Sequence, residues 1–310
     1  MNAGSSFMIS PELTRMLITS SQAKRFHSGE TIVSEGLAPV EGLGFLLSGS
    51  VKITKKQGER EIILGTIEAG HSFGETALLL QRPRIATVRA ASDDTVAIFL
   101  SPESFTREAN RNTSFLEHLT NEAVIRIDNV LAALFRLKSK TELIVDPSLK
   151  PIIEENRKRC SVIHDLINNT RALWVGHDKP LFSQGEHNNG TAFLVVQGSI
   201  VWQRRYDDET VKIHTVEPGD IFGLPAPQNS PFRRYTTLPL GESARVVAFG
   251  QGLLGRVLRA NQDTFFYVFR SLITQVVILD DSLRLAAAKV TTPPIETKPD
   301  TYTTEPPITV

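Results

Sequence analysis

Adding 149 to a residue number maps the first half of the chain onto the second. Ser34 falls on Ser183, Gly36 on Gly185, Gly49 on Gly198, Gly70 on Gly219 and Gly74 on Gly223. Thr66 likewise meets Thr215, Glu68 meets Glu217, Phe73 meets Phe222, Arg84 meets Arg233 and Thr87 meets Thr236. The glycines constrain the fold most, because each marks a turn or a close backbone approach that a side chain would obstruct. Two copies that keep them in register follow the same path. The sequence therefore predicts a duplication, divided as residues 1–138 and 139–289, with 290–310 as a disordered tail carrying five prolines among threonines and acids.

Within each copy the pattern is strand, glycine turn, strand. Phe45-Leu46-Leu47, Ser48-Gly49-Ser50, Val51-Lys52-Ile53 is a β-branched and aromatic run folded at a glycine, and Phe193 to Trp202 repeats it around Gly198. Further strands are predicted at Thr31–Val33, Ile62–Leu64, Ala86–Ala90 and Val96–Leu100. Short strands at regular spacing predict a sandwich, roll or barrel, so the fold class is mainly β with flanking helices. A helix is predicted over Asn121–Leu137, where Val124, Ile127, Leu131 and Leu134 step by helical intervals, lying on its own β-domain. A second is predicted over Asp263–Lys289, where Phe269, Leu272, Val276, Leu279 and Leu283 form a heptad seam suited equally to a homodimer and to burial on its own β-domain.

Charge and composition exclude several classes. Lys plus Arg is 34 and Asp plus Glu is 34, so 34 − 34 leaves no net charge to draw the chain onto nucleic acid or anionic lipid. The single cysteine, Cys160, excludes an internal disulfide. With no signal peptide and no long apolar run in view, the expectation is a cytoplasmic protein with neither DNA nor membrane as partner. The seven histidines show no ligand spacing, and neither a phosphate-binding P-loop nor a nucleophile elbow is present. The expectation is no metal, no cofactor, no catalytic residue and no enzymatic activity.

The stretch that carries chemistry is Phe73-Gly74-Glu75-Thr76-Ala77-Leu78-Leu79, followed by Arg84-Ile85-Ala86-Thr87. A short helix opening after a glycine turns backbone N–H groups toward an anion. Arg84 adds a planar fork that can grip two phosphate oxygens. Ionised Glu75 only accepts, so beside a phosphate it awaits a donor such as a sugar hydroxyl. Thr87 offers a further hydroxyl. Charge logic gives a phosphorylated sugar with a free hydroxyl; a buried Glu–Arg ion pair in an empty roll is the alternative.

Phe-Gly-Glu-x-Ala-Leu followed by Arg-x-Ala-Thr resembles the phosphate-binding cassette of the cyclic-nucleotide-binding domain family. The likeness covers residues 20–138 well and 160–288 more loosely. It implies two β-rolls of the double-stranded β-helix type, each followed by a helix, in a layout similar to kinase regulatory subunits but lacking an inhibitor segment ahead of residue 23. It also implies that Arg84 holds the cyclic phosphate, that Glu75 holds the ribose 2′-hydroxyl, and that the backbone of Gly74, Ala86 and Thr87 completes the cradle. Ile85 stands where the family's guanine readers carry threonine, and it has no donor or acceptor, so cAMP is expected over cGMP. A base cap is sought on the first terminal helix, where Asn129 interrupts the apolar run.

The second cassette departs from the pattern. It reads Phe222-Gly223-Leu224-Pro225-Ala226-Pro227, then Phe232-Arg233-Arg234-Tyr235-Thr236. Leu224 replaces the acidic acceptor, and Pro225, Pro227 and Pro231 remove backbone donors. Although Gly223 and Arg233 are retained, the lost acceptor and the prolines make this a degenerate site, expected to bind no cyclic nucleotide. Arg233-Arg234-Tyr235-Thr236 also resembles a basophilic kinase target. The leading expectation is a non-enzymatic cyclic-nucleotide receptor that acts on a protein effector the sequence does not name. A structural or adaptor protein with vestigial pockets is the alternative, ahead of a catabolite-activator-type transcription regulator.

Overall fold

The computed structural model describes residues 15, 17–19, 23–57, 60–136, 150–158, 172–207, 209–224, 231–250, 256 and 262–291. The boundary between residues 138 and 139, Cys160, Pro225, Pro227 and the tail after residue 291 lie outside them.

The first roll contains β1 (Ala23–Phe26), β2 (Thr31–Val33), β3 (Leu43–Ser48), β4 (Ser50–Gln57), β5 (Arg60–Glu68) and β6 (Ser72–Phe73). The short helix α1 (Glu75–Leu79) leads to β7 (Thr87–Ala90) and β8 (Thr95–Leu100). Helices α2 (Pro102–Arg111), α3 (Thr113–Arg136) and α4 (Lys150–Lys158) follow. The second roll holds β9 (Ala172–Gly176), β10 (Ala192–Gln197), β11 (Ile200–Tyr206), β12 (Glu209–Val216), β13 (Ile221–Phe222), β14 (Thr236–Pro239) and β15 (Ser243–Phe249). It ends in α5 (Gln262–Thr291).

Each roll is built of two antiparallel sheets, ordered β1-β8-β3-β6 and β2-β7-β4-β5 in the first, β13-β10-β15-β9 and β12-β11-β14 in the second. At the 149-residue offset, β9 to β15 fall on β1 and β3 to β8, with every end matching to within one residue. Even the irregularities coincide. The β3–β8 register shifts between Leu46 and Ser48, and the β10–β15 register shifts between Val195 and Gln197. The hairpin glycines Gly49 and Gly198 both take positive φ, 73° and 72°, a conformation that costs other residues strain.

Three apolar clusters hold these layers. One is the interior of the first roll, from Phe26 and Val33 to Leu46, Phe73 and Ala97. A second joins both rolls: Phe45 and Leu100 of the first and Leu194 and Phe249 of the second meet across Phe115 to Val124 of α3 and Phe265 to Ile278 of α5. The third sets Val130, Leu131, Leu134 and Phe135 of α3 against the interior of the second roll.

Two expectations are corrected here. The first helix begins at Thr113 rather than Asn121, because the Asn112 side-chain oxygen accepts from the Phe115 N–H at 3.1 Å and caps it earlier. It does not lie on its own β-domain alone, since its second half packs on the other roll. The heptad seam of α5 is not a free face. Phe269, Leu272, Val276 and Leu279 are buried inside the chain, with Val268, Ile273 and Val277 of the flanking faces buried too. A helix buried on several faces is a core helix, so the reasoning that offered this seam to a second copy no longer applies. Leu279 has no exposed surface. Leu279→Ala is expected to cost about 2–5 kcal/mol of unfolding free energy in urea denaturation, whereas a negligible loss would contradict this packing.

Candidate functional site

The cassette is set by a steric requirement at its turn. Gly74 closes β6 at φ +83°, and a Cβ there would stand 2.3 Å from Arg84 Nη1. Without the side chain, the guanidinium passes close enough to clamp two loops: Nη1 donates to the Gly74 carbonyl at 2.9 Å and Nη2 to the Gly42 carbonyl at 2.8 Å. Its backbone is fixed as well, with the Arg84 N–H donating to the Leu37 carbonyl and the Arg84 carbonyl accepting from Gly36, both at 2.8 Å. Nη2 also lies 3.4 Å from Glu41 Oε2. The buried Nε–H has no partner.

Glu75, the first residue of α1, is 5% exposed. Its ion-pair partner is not Arg84. Arg126 Nη1 of α3 donates to Glu75 Oε1 at 2.5 Å, and the Thr76 hydroxyl donates to the same oxygen at 3.3 Å. Arg126 Nη2 lies 3.6 Å from Asp280 Oδ2 on α5. Burial alone would make the Arg126 guanidinium easier to deprotonate; the carboxylates of Glu75, Asp280 and Glu122 outweigh it and hold the charge more firmly. Burial pushes the Asp280 carboxyl upward against the opposing pull of Arg126. Glu75 Oε2 is buried without a hydrogen-bond partner.

A cavity of about 360 Å³ opens beside Glu75, lined also by Glu68, Ser72, Glu122, Arg126 and Asn129. The exposed Asn129 stands on its wall, while Arg84 is not among the lining residues. Phe73 is a core residue, its ring edge-on to Phe99 at 5.7 Å, and Ala77 is equally buried. Ile85 is half-buried and packs against the core shared by the rolls, with Ala86 half-buried beside it. The Thr87 hydroxyl accepts from the Glu35 N–H at 3.1 Å. Glu122 binds α3 to the strand before the cassette: its Oε1 accepts from the Ser72 N–H at 2.9 Å and lies 3.1 Å from His71 Nδ1. That hydrogen bond raises the His71 value, whereas burial lowers that of the neighbouring His118.

The second cassette keeps the clamp and lines only a small cavity. Arg233 donates to the carbonyls of Gly223 and Thr191, the positions equivalent to Gly74 and Gly42. Leu224 packs against the shared core in place of the acidic acceptor. Trp202 stacks on Tyr235 with ring centroids 4.3 Å apart, Arg233 lies over Phe182 at 4.2 Å, and the space left is about 50 Å³. That is room for a water or two, against the several hundred Å³ of a ligand pocket. The kinase-target resemblance loses its footing, because Tyr235 is buried and the Thr236 hydroxyl accepts from the Gln184 N–H at 3.0 Å.

Sequence reading missed Arg126, Glu122 and Glu41, whose partners are far away in the chain. It also missed Trp202 and Tyr235, although both were visible as large residues facing Ile53 and Ala86 at the repeat offset. Among the described residues, no group of three or more His, Cys, Asp or Glu is placed to hold a metal ion, and no helix is long and apolar enough to cross a membrane.

Residues 23–112 match the family model of the cyclic nucleotide-binding domain. The chain is similar to the cAMP-dependent protein kinase type II regulatory subunit of Drosophila melanogaster, 33% identical over 85 residues that make up 27% of this chain and 22% of the relative. It is also similar to the Pycsar effector protein RsmPycTIR of Rhodovulum, 37% identical over 95 residues, 30% of this chain and 36% of that protein. The chain thus spans between about a fifth and a third of the length of these relatives. Among solved structures it is similar to the regulatory domain of Toxoplasma gondii PKA crystallised with cAMP, at 18% identity and a TM-score of 0.28, covering 91% of this chain and 90% of that one.

Acid sensitivity follows from the filled second cleft. His214 is buried edge-on to Trp202 at 4.8 Å, and burial pushes its value down to about 3. A histidine lowered in the fold favours folding fully above the unfolded value, about 6.5, and loses that advantage as pH falls toward 3. At pH 5 this costs about 2 kcal/mol relative to neutrality. His214→Phe is expected to flatten the stability loss between pH 7 and pH 5, followed by urea denaturation; an unchanged slope would contradict the assignment.

Proposed function

We propose that this chain, whose residues 23–112 match the family model of the cyclic nucleotide-binding domain, is a receptor whose first roll binds a 3′,5′-cyclic nucleotide, cAMP in preference to cGMP. The observation that carries this reading is the pair of unmet groups. Glu75 Oε2 and Arg84 Nε are each buried without a partner, one an acceptor and one a charged donor, within one cassette. A buried polar group without a partner costs on the order of 1–3 kcal/mol, so a ligand that satisfies both gains more than its contacts alone.

A ribose cyclic phosphate is the match. Its 2′-hydroxyl donates to Glu75 Oε2 while Arg126 keeps Oε1, and its phosphate takes Nε–H of Arg84, displacing the exposed Glu41 from Nη2. Glu68, Glu75 and Glu122 around the cavity suit hydroxyl donors and repel phosphate, so charge sorts the two ends of the ligand. Apolar Ile85 offers nothing to the guanine edge, which sets the preference for adenine. Asn129, on the cavity wall, is the residue we assign to the base.

The reading extends to the whole chain as a non-catalytic regulator with one nucleotide site, divided into residues 1–138 and 139–289. Nucleotide binding alters the seating of α3 and thereby the surface shown to a protein effector. The named relatives, a kinase regulatory subunit and a Pycsar effector protein, fit a ligand-reading module joined to differing outputs.

Thermal unfolding with cAMP, cGMP and non-cyclic AMP tests it. Cyclic AMP is expected to raise the melting temperature progressively with concentration, by about 2.7 kcal/mol equivalent at a hundred times Kd. Glu75→Gln and Arg84→Leu should each weaken binding by about 10- to 100-fold, as loss of a charge-assisted hydrogen bond implies. No shift with either cyclic nucleotide, or wild-type affinity in both variants, would overturn the proposal.

A further inference from the structure

Helix α3 touches both cassettes within one turn. Arg126 meets Glu75 of the first. Two residues on, Asp128 holds Arg234 of the second in a fork, Nε donating to Oδ1 and Nη2 to Oδ2 at 2.7 Å. Neither Asp128 nor Arg234 lines the cavity beside Glu75. Bidentate carboxylate–guanidinium pairs fix direction as well as distance, so this one sets the rotation of α3 about its axis.

The second cleft has been rebuilt around that contact. At the repeat offset, Arg234 stands for Ile85, Tyr235 for Ala86 and Trp202 for Ile53. The two aromatics fill the nucleotide space and present an apolar wall to Leu131 of α3, which shares their cluster. Arg204 adds a second tie. Its guanidinium lies 4.1 Å from the ring centroid of Phe135 on α3, and it donates to the Arg234 carbonyl at 2.5 Å.

We infer that the second cleft serves as the seat of α3 and, by fixing that helix, positions Arg126 against Glu75 and so sets the nucleotide affinity of the first site. The inference rests on the reading of the first roll as the nucleotide site. Arg126 can hold Oε1 and leave Oε2 free for a hydroxyl only while α3 keeps its rotation. Coupling of this kind is reciprocal, so a nucleotide in the first roll must also alter the second cleft.

The test titrates cAMP calorimetrically into the full chain as wild type, Asp128→Asn, Arg234→Gln and the exchanged pair D128R/R234D. Each single variant should weaken binding by on the order of tenfold, within the usual range of inter-site coupling, and the exchanged pair should recover most of it. A second arm uses Trp174→Phe. The chain has two tryptophans, so Trp202 in the cleft becomes the sole emitter, with the clasp intact. Its emission should change in step with cAMP saturation. Unchanged affinity in the single variants, no recovery in the exchanged pair, or a silent Trp202 would overturn the inference alone. A wild type that binds neither cAMP nor cGMP would overturn the first-roll reading and this inference with it.

Discussion

The arrangement turns on one half-buried guanidinium. Arg126 reaches from α3 to Glu75 on α1 and to Asp280 on α5, tying the cassette to both long helices. Removing one partner of such a set leaves uncompensated charge, which is why its loss would cost far more than the net worth of the pair. With Arg126 in place, Glu75 has one oxygen satisfied and one not. That asymmetry defines what the site can accept.

The two rolls show which residues serve the fold and which serve the ligand. The Nη groups of Arg84 and Arg233 clamp equivalent carbonyls in both rolls and so serve the fold, whereas Nε of Arg84 is left without a partner. The differences lie elsewhere. Glu75 becomes Leu224, Ile53 becomes Trp202 and Ala86 becomes Tyr235. The first change removes an acceptor, and the others stack two rings beside Leu224, where the cavity holds about 50 Å³. Apolar volume gained in this way stabilises the second roll and gives α3 an apolar surface to pack on. One scaffold thus supports a polar cavity and a filled helix seat.

Local features were legible in the sequence. Alternating strands, the hairpin glycines and the 149-residue register follow from short-range rules, and the structure keeps each of them. Glu75 and Arg84 stood out because they sit close together in a patterned segment. Arg126 and Asp128 did not. Their partners lie 51 and 106 residues away, and on the sequence they read as ordinary charges on a helix. The heptad seam of α5 was read as an apolar stripe and left open between a second copy and its own chain, and within the chain it is buried. Spacing specifies that a stripe must be covered, but not whether another copy or another element of the same chain covers it.

The central claim is that one cleft accepts a cyclic nucleotide while its counterpart holds a helix. The most direct measurement is the stoichiometry of cAMP on the intact chain, by calorimetry at protein concentrations well above Kd. The account predicts one nucleotide per chain. Two per chain would contradict the filled second cleft, and none would contradict the open first.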